Sequence, residues 1–188
     1  MPAERPRLTA HLLRQLYTRG MFPMAHDGAL YVHDPDPRAI FPLLPLRPNA
    51  RSRRYFRSHG YTCTMHTAFA EVMRACADRP DQWISEEMVE AYTALHRMGH
   101  ATSVEVWQEG DLVGGLYGVK LGRAFFGESM FSRKPNAGKA AFYHIADHLR
   151  ANDYTLFDTQ YINEHTRSLG AVEVPREEFR RLLAEAVG

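Results

Sequence analysis

Near the start of the chain, Leu12, Leu13, Leu16 and Tyr17 recur at helical spacing and predict a helix over 9–19, stopped by Gly20. From there to about position 48 the pattern breaks. Pro23, Pro35, Pro37, Pro42, Pro45 and Pro48 argue against long helices and central strands, leaving a loop-rich lobe with short strands such as 30–33. From Tyr61 onward the texture is regular. A strand is expected over 61–65, then a helix marked by Ala68, Val72, Ala75 and Cys76. A second helix is capped by Ser85, carries Glu86 and Glu87 in its first turn, and turns Met88, Ala91, Tyr92 and Leu95 inward before Gly99. Strands 103–108 and 112–119 flank the hairpin turn Glu109-Gly110-Asp111, and 124–131 reads as a third strand. A helix from near Asn136 past Leu149, a strand over 154–159, a short helix ending at Gly170 and a last strand at 172–174 follow. Pro175 opens a final helix with Glu177 and Glu178 in its first turn. A strand meander crossed by helices is an α+β pattern. The break in texture divides the chain into a small N-terminal lobe, 1–60, and a main domain, 61–188.

Composition narrows the function classes. The 188 residues are 45% hydrophobic and 24% charged, with a formal net charge of +1, so there is no global basic field and any nucleic-acid contact must use a local patch. The basic cluster Arg47, Arg51, Arg53, Arg54 and Arg57, interleaved with Tyr55 and Phe56, is the candidate; it reads either as a solvated helix face or as a phosphate-contacting surface with stacking rings. Cys63 and Cys76 form no C-x-x-C pair and read as reduced core residues. The segment 1–6 has no hydrophobic signal region, and no apolar run is long enough to cross a bilayer, so a cytoplasmic protein is expected. His96 with His100, and His144 with His148, have i, i+4 spacing but no evident third ligand, so no metal is assigned.

Two polar islands interrupt the apolar second half. In Gly127-Glu128-Ser129-Met130-Phe131-Ser132, a carboxylate sits in a stretch that otherwise reads as buried strand. Such a group must find a partner, shift its pKa or face a cavity. In Asp158-Thr159-Gln160, period-two alternation puts Asp158 and Gln160 on one strand face. Two carboxylates and an amide could thus converge on one pocket and orient and deprotonate an amine. The competing reading pairs Glu128 with an arginine and makes Asp158 a turn cap.

The chain resembles the leucyl/phenylalanyl-tRNA–protein transferase family. The resemblance rests on Gly20-Met21-Phe22-Pro23-Met24, Pro35-Asp36-Pro37-Arg38, Ser103-Val104-Glu105-Val106-Trp107, Leu112 to Val119, Gly127 to Ser132, Asn136-Ala137, Asp158-Thr159-Gln160 and His165 to Ala171, in family order. It implies a GNAT-like (acetyltransferase-like) mixed sheet flanked by helices, with a small N-terminal lobe. The implied activity moves leucine or phenylalanine, sometimes methionine, from an aminoacyl-tRNA to a protein with N-terminal arginine or lysine, marking the product for degradation. No cofactor is needed, and a monomer is expected. By resemblance, Glu128, Asp158 and Gln160 fall on catalytic positions; Leu116, Phe125, Met130, Phe157 and also Ile145 line an apolar aminoacyl pocket; Trp83 stands near the tRNA end; and Asn136, Lys139 and the arginines 51, 53, 54 and 57 face the tRNA. Two departures stand out. Val32-His33 occupies the place of two family tryptophans, and Asn136-Ala137-Gly138-Lys139 lacks the family's serine, though its helix-start amides could still hold an anion. The rival readings are an acetyl-CoA-dependent N-acetyltransferase, disfavoured because Pro135 removes an amide from the loop that would cradle pyrophosphate, and a non-catalytic tRNA- or degron-binding module.

Overall fold

The computed structural model describes residues 7–78 and 83–188; the segment 1–6, read above for a signal region, lies outside them. Helix α1 (Ala10–Thr18) starts where the Thr9 hydroxyl accepts from the Leu12 amide, and it ends at Gly20, whose φ of +77° suits a residue without Cβ. The proline-rich stretch forms a separate hairpin of β1 (Phe22–His26) and β2 (Ala29–His33), then β3 (Arg38–Phe41) and the arginine-bearing helix α2 (Ala50–Ser58). After β4 (Thr62–Met65) come α3 (Phe69–Ala77) and α4 (Glu86–Arg97), the latter capped by Ser85 as its sequence predicts. The meander is β5 (Ala101–Gln108), β6 (Asp111–Leu121) and β7 (Ala124–Ser132). Helix α5 (Ala137–Ala151) leads to β8 (Leu156–Gln160), and α6 (Glu164–Ser168), β9 (Val172–Val174) and α7 (Arg176–Val187) complete the chain.

Seven strands form one sheet in the order β4-β5-β6-β7-β8-β3-β9, antiparallel except where β7 meets β8 in parallel, with α5 as the crossover. This is the GNAT-like α+β layout. One expectation is corrected. Proline density argued against a central strand before position 48, yet β3 lies inside the sheet between β8 and β9. The prolines at 37 and 42 stand just outside the strand, and the four residues between them keep every amide donor.

Period-two alternation divides the core between the two faces of the sheet. Phe126 and Tyr117 point to one face, packed by α1, α3, α4 and α7 through Tyr17, Val72, Tyr92 and Phe179. Phe125 and Leu116 point to the other, covered by α5 through Phe142 and Ile145. Cys63 and Cys76 are free thiols. Gly118 sits where this packing is tightest: a Cβ there would overlap the Phe126 carbonyl and the Phe125 ring. Gly118→Ala must move backbone, so a loss of about 1–3 kcal/mol is expected in urea unfolding.

Candidate functional site

Strands β7 and β8 pair only as far as Phe126 opposite Asp158. Beyond that they splay, and each carries an irregularity at the point of separation. Between β6 and β7, Tyr117 faces Ser129 and Gly118 faces Gly127, which leaves Glu128 without a partner. Between β3 and β8, Ala39 faces Gln160 and Ile40 faces Asp158, which leaves Thr159 without one. These are β-bulges, and a bulge re-aims the side chains around it. In β7 it lets Glu128 turn toward the side of Phe126 while Met130 packs on the opposite core. In β8 it ends in Gln160, held at φ +59°, a conformation in which a non-glycine residue is uncommon.

The consequence is a cavity of about 710 Å³ lined from both faces of the sheet. Leu116, Phe125, Met130 and Phe157 form part of its apolar wall, together with Phe22, Phe41 and Phe142. Trp83 also lines it. Its polar lining includes Ser132, Asn136, Lys139, Asn163 and His165. Ile145 does not reach the cavity; it is fully buried beneath the wall.

Glu128 and Gln160 do converge. The Gln160 amide donates to Glu128 Oε1 at 2.9 Å, and both residues line the cavity. Asp158 does not line it. The alternation that was to put Asp158 beside Gln160 is undone by the bulge at Thr159. Instead Asp158 is wholly buried and accepts two bonds from Arg38, Nε to Oδ1 at 2.8 Å and a terminal nitrogen to Oδ2 at 2.7 Å. Its Oδ1 also accepts the Gln160 backbone amide at 3.1 Å. The arginine pairing foreseen for Glu128 in the competing reading therefore belongs to Asp158. Arg38 is itself fully buried, with its guanidinium 4.8 Å from the Phe22 ring centre and 4.3 Å from that of Phe179, and it donates its remaining reach to the Gly20 carbonyl.

Loss of hydration on burial pushes the Glu128 carboxyl up to about 8, and the nearby Asp158 charge adds to the rise. Hydrogen bonds from Tyr17 and Tyr92 and the Arg38 charge oppose it. A carboxyl poised there can take or give a proton near neutrality.

Arg51, Arg53, Arg54 and Arg57 lie exposed on α2 rather than in the cavity. The Tyr61 hydroxyl, just after that helix, donates to the Pro135 carbonyl at 3.0 Å, which sets α2 beside the Asn136–Lys139 end. At the start of α5 the amides are already engaged: Ala137 N donates to Lys134 O, and Gly138 N to the Ser132 hydroxyl at 2.7 Å. The expectation that these amides could hold an anion is thereby corrected for both positions. Among the described residues no group of three or more His, Cys, Asp or Glu side chains could hold a metal ion, and no helix is long and apolar enough to cross a membrane.

Sequence reading missed Arg38, Tyr17, Tyr92 and His165. A usable signal existed for Arg38, a cation directly preceding the apolar run Ala39-Ile40-Phe41.

Comparisons with known proteins point to one family. The family model described as leucyl/phenylalanyl-tRNA protein transferase matches residues 40–184. The chain is 49% identical over 182 residues to the leucyl/phenylalanyl-tRNA–protein transferase of Gloeobacter violaceus, covering 96% of this chain and 94% of that protein. It is 44% identical over 189 residues to the protein of the same name from Dinoroseobacter shibae, covering 99% and 85%. Among solved structures, L-PGS from Bacillus licheniformis is similar in fold, with a TM-score of 0.50 at 14% identity over 81% of this chain and 65% of that one. A match that takes in both bulged strands, the strand that supplies Arg38's neighbours and the helix between them leaves one assignment: the chain belongs to the leucyl/phenylalanyl-tRNA–protein transferase family.

Proposed function

We propose that this protein transfers leucine or phenylalanine from an aminoacyl-tRNA to the α-amine of proteins bearing N-terminal arginine or lysine, in the cytoplasm, with the product entering N-terminal-residue-dependent degradation. The observation that carries the reading is the Gln160–Glu128 pair at the wall of an apolar cavity, together with a family match over nearly the whole chain. The donor ester is already activated, so the protein's task is to position the reactants and manage one proton. The apolar wall takes the aminoacyl side chain, and Met130 lets it accept two shapes. Gln160 offers its carbonyl oxygen to the incoming amine while its amide holds Glu128. Glu128 takes the proton the amine loses and returns it to the departing ribose oxygen. Its proton affinity near 8 is matched to an α-amine, which titrates at about 7.7–8.0. Asp158 shapes the site by fixing the backbone of Gln160. Trp83 offers a ring to the terminal base, while Asn136, Lys139 and the exposed arginines of α2 face the tRNA backbone.

The test is transfer of labelled leucine and phenylalanine from charged tRNA to peptides beginning with arginine, lysine or alanine. Product is expected with the first two acceptors only. Binding of charged tRNA without product would instead favour a silent binding module. The acetyltransferase rival has engaged amides at Ala137 and Gly138 and a proline at 135 against it, and tight acetyl-CoA binding in calorimetry would revive it.

A further inference from the structure

Gln160 ends its strand with a φ of +59°, which a residue carrying a Cβ seldom adopts. Such a conformation persists where its surroundings over-determine it. One hold comes from the N-terminal side: the Gln160 amide donates to Asp158 Oδ1 at 3.1 Å, and Arg38 fixes that carboxylate at 2.7 Å. A second hold lies on the other side. The next residue, Tyr161, shares a hydrogen bond of 2.8 Å between its hydroxyl and His33 Nδ1, across 128 positions of chain. His33 is the cross-strand partner of Phe22 in the β1–β2 hairpin, and its ring stacks on that phenyl with 5.5 Å between centres and 18° between planes. The Tyr161 ring stands edge-on to both, 5.8 Å from Phe22 and 6.1 Å from His33. Phe22 in turn lies 4.8 Å from the Arg38 guanidinium. The contacts close a circuit: from Gln160 through Asp158, Arg38 and Phe22 to His33, and back through Tyr161. His33 is also one of the positions at which the chain departs from the family pattern.

We propose that Tyr161 and His33 are a positioning pair for the transfer: they hold Gln160 in its left-handed backbone conformation from the C-terminal side, as Asp158 holds it from the N-terminal side. The inference rests on the reading of Gln160 as the group that receives the amine. A side-chain amide aims at a nucleophile only as well as its own backbone is fixed, and small misplacements are costly in rate. With the tie cut, Gln160 is free to relax toward the extended conformation ordinary for a strand residue. That rotation would carry its amide away from Glu128 Oε1, 2.9 Å distant. Phe22 and Tyr161 line the cavity, whereas His33 does not, so His33 acts through Tyr161 rather than on a substrate.

The test uses Tyr161→Phe, His33→Phe and the double variant. Each keeps a ring and removes the hydrogen bond, and both sites lie outside the buried core. Hydrogen exchange at the Gln160 amide, followed by NMR, reads the backbone directly. It is expected to quicken about fivefold in each single variant, the change that corresponds to one lost hydrogen bond. In the same variants kcat should fall by a similar factor while KM for charged tRNA stays unchanged. Because all three variants remove the same interaction, the double should match the singles rather than multiply them. Gln160 exchange unmoved in both singles, or effects that multiply in the double, overturns the pair even if activity falls. Faster exchange with unchanged transfer supports the pair and counts instead against Gln160 as the group that receives the amine.

Discussion

Glu128→Gln is expected to lower kcat for aminoacyl transfer about 10²–10⁴-fold, the range usual for loss of a positioned acid–base group, with little change in affinity for the charged tRNA. The substitution is nearly isosteric, and its amide can still pair with Gln160, so the cavity keeps its shape. What disappears is a group able to carry a proton. Single-turnover rates on preformed complexes separate this loss from any effect on binding. Activity within a factor of a few of the parent would mean that the amine is deprotonated elsewhere.

The same change alters stability with a definite sign. The Glu128 carboxyl rises from an ordinary 4.5 to about 8 on folding, so the folded chain holds a proton that the unfolded chain has released between those values. Stability contributed by this site is therefore fully present below pH 4.5, declines across the window up to 8, and stays low above it. Urea midpoints of the parent and of Glu128→Gln should diverge through that window, with the variant gaining relative to the parent as pH rises.

Arg38→Met is expected to have the largest effect on folding. It leaves the Asp158 carboxylate buried with no counter-charge, a situation that typically costs about 3–5 kcal/mol. It also removes the donor to the Gly20 carbonyl and the cation between the rings of Phe22 and Phe179. Adding Asp158→Asn should recover much of the loss, because removing both charges of a buried pair is far milder than removing one. Transfer activity should not recover with it if the ionised pair is what fixes Gln160 at its bulge. Denaturant curves of the single and double variants, set beside their transfer rates, measure the two contributions separately.

The elements that rest on local chemistry were legible. Ser85 and the Glu109-Gly110 turn act where their side chains and backbone preferences say they should. Glu128 announced itself as a carboxylate in an apolar strand, and that reasoning needed no partner to be known. What escaped depends on contacts between distant segments. Alternation placed Asp158 and Gln160 on one face, but the extra residue at Thr159 cannot be read from composition, since bulges arise from how two strands meet. Tyr17 and Tyr92 fit the apolar stripes of their helices, and nothing in either stripe reveals that their oxygens touch. Arg38 looked like part of a loop because the prolines around it mask a four-residue strand.

That strand has a bearing on how the molecule comes into being. Arg38 leaves the ribosome well before the residue it clasps, which lies 120 positions further on. During synthesis β3 can join nothing: both of its neighbours, β8 and β9, are made near the end. The chemistry is thus withheld until the polypeptide is almost complete, since the guanidinium, the bulge it steadies and the hollow beside them are assembled together by the last pairing events. Such long-range closure is slow compared with local helix formation. A chain interrupted before β8 would retain the meander and lack any working centre.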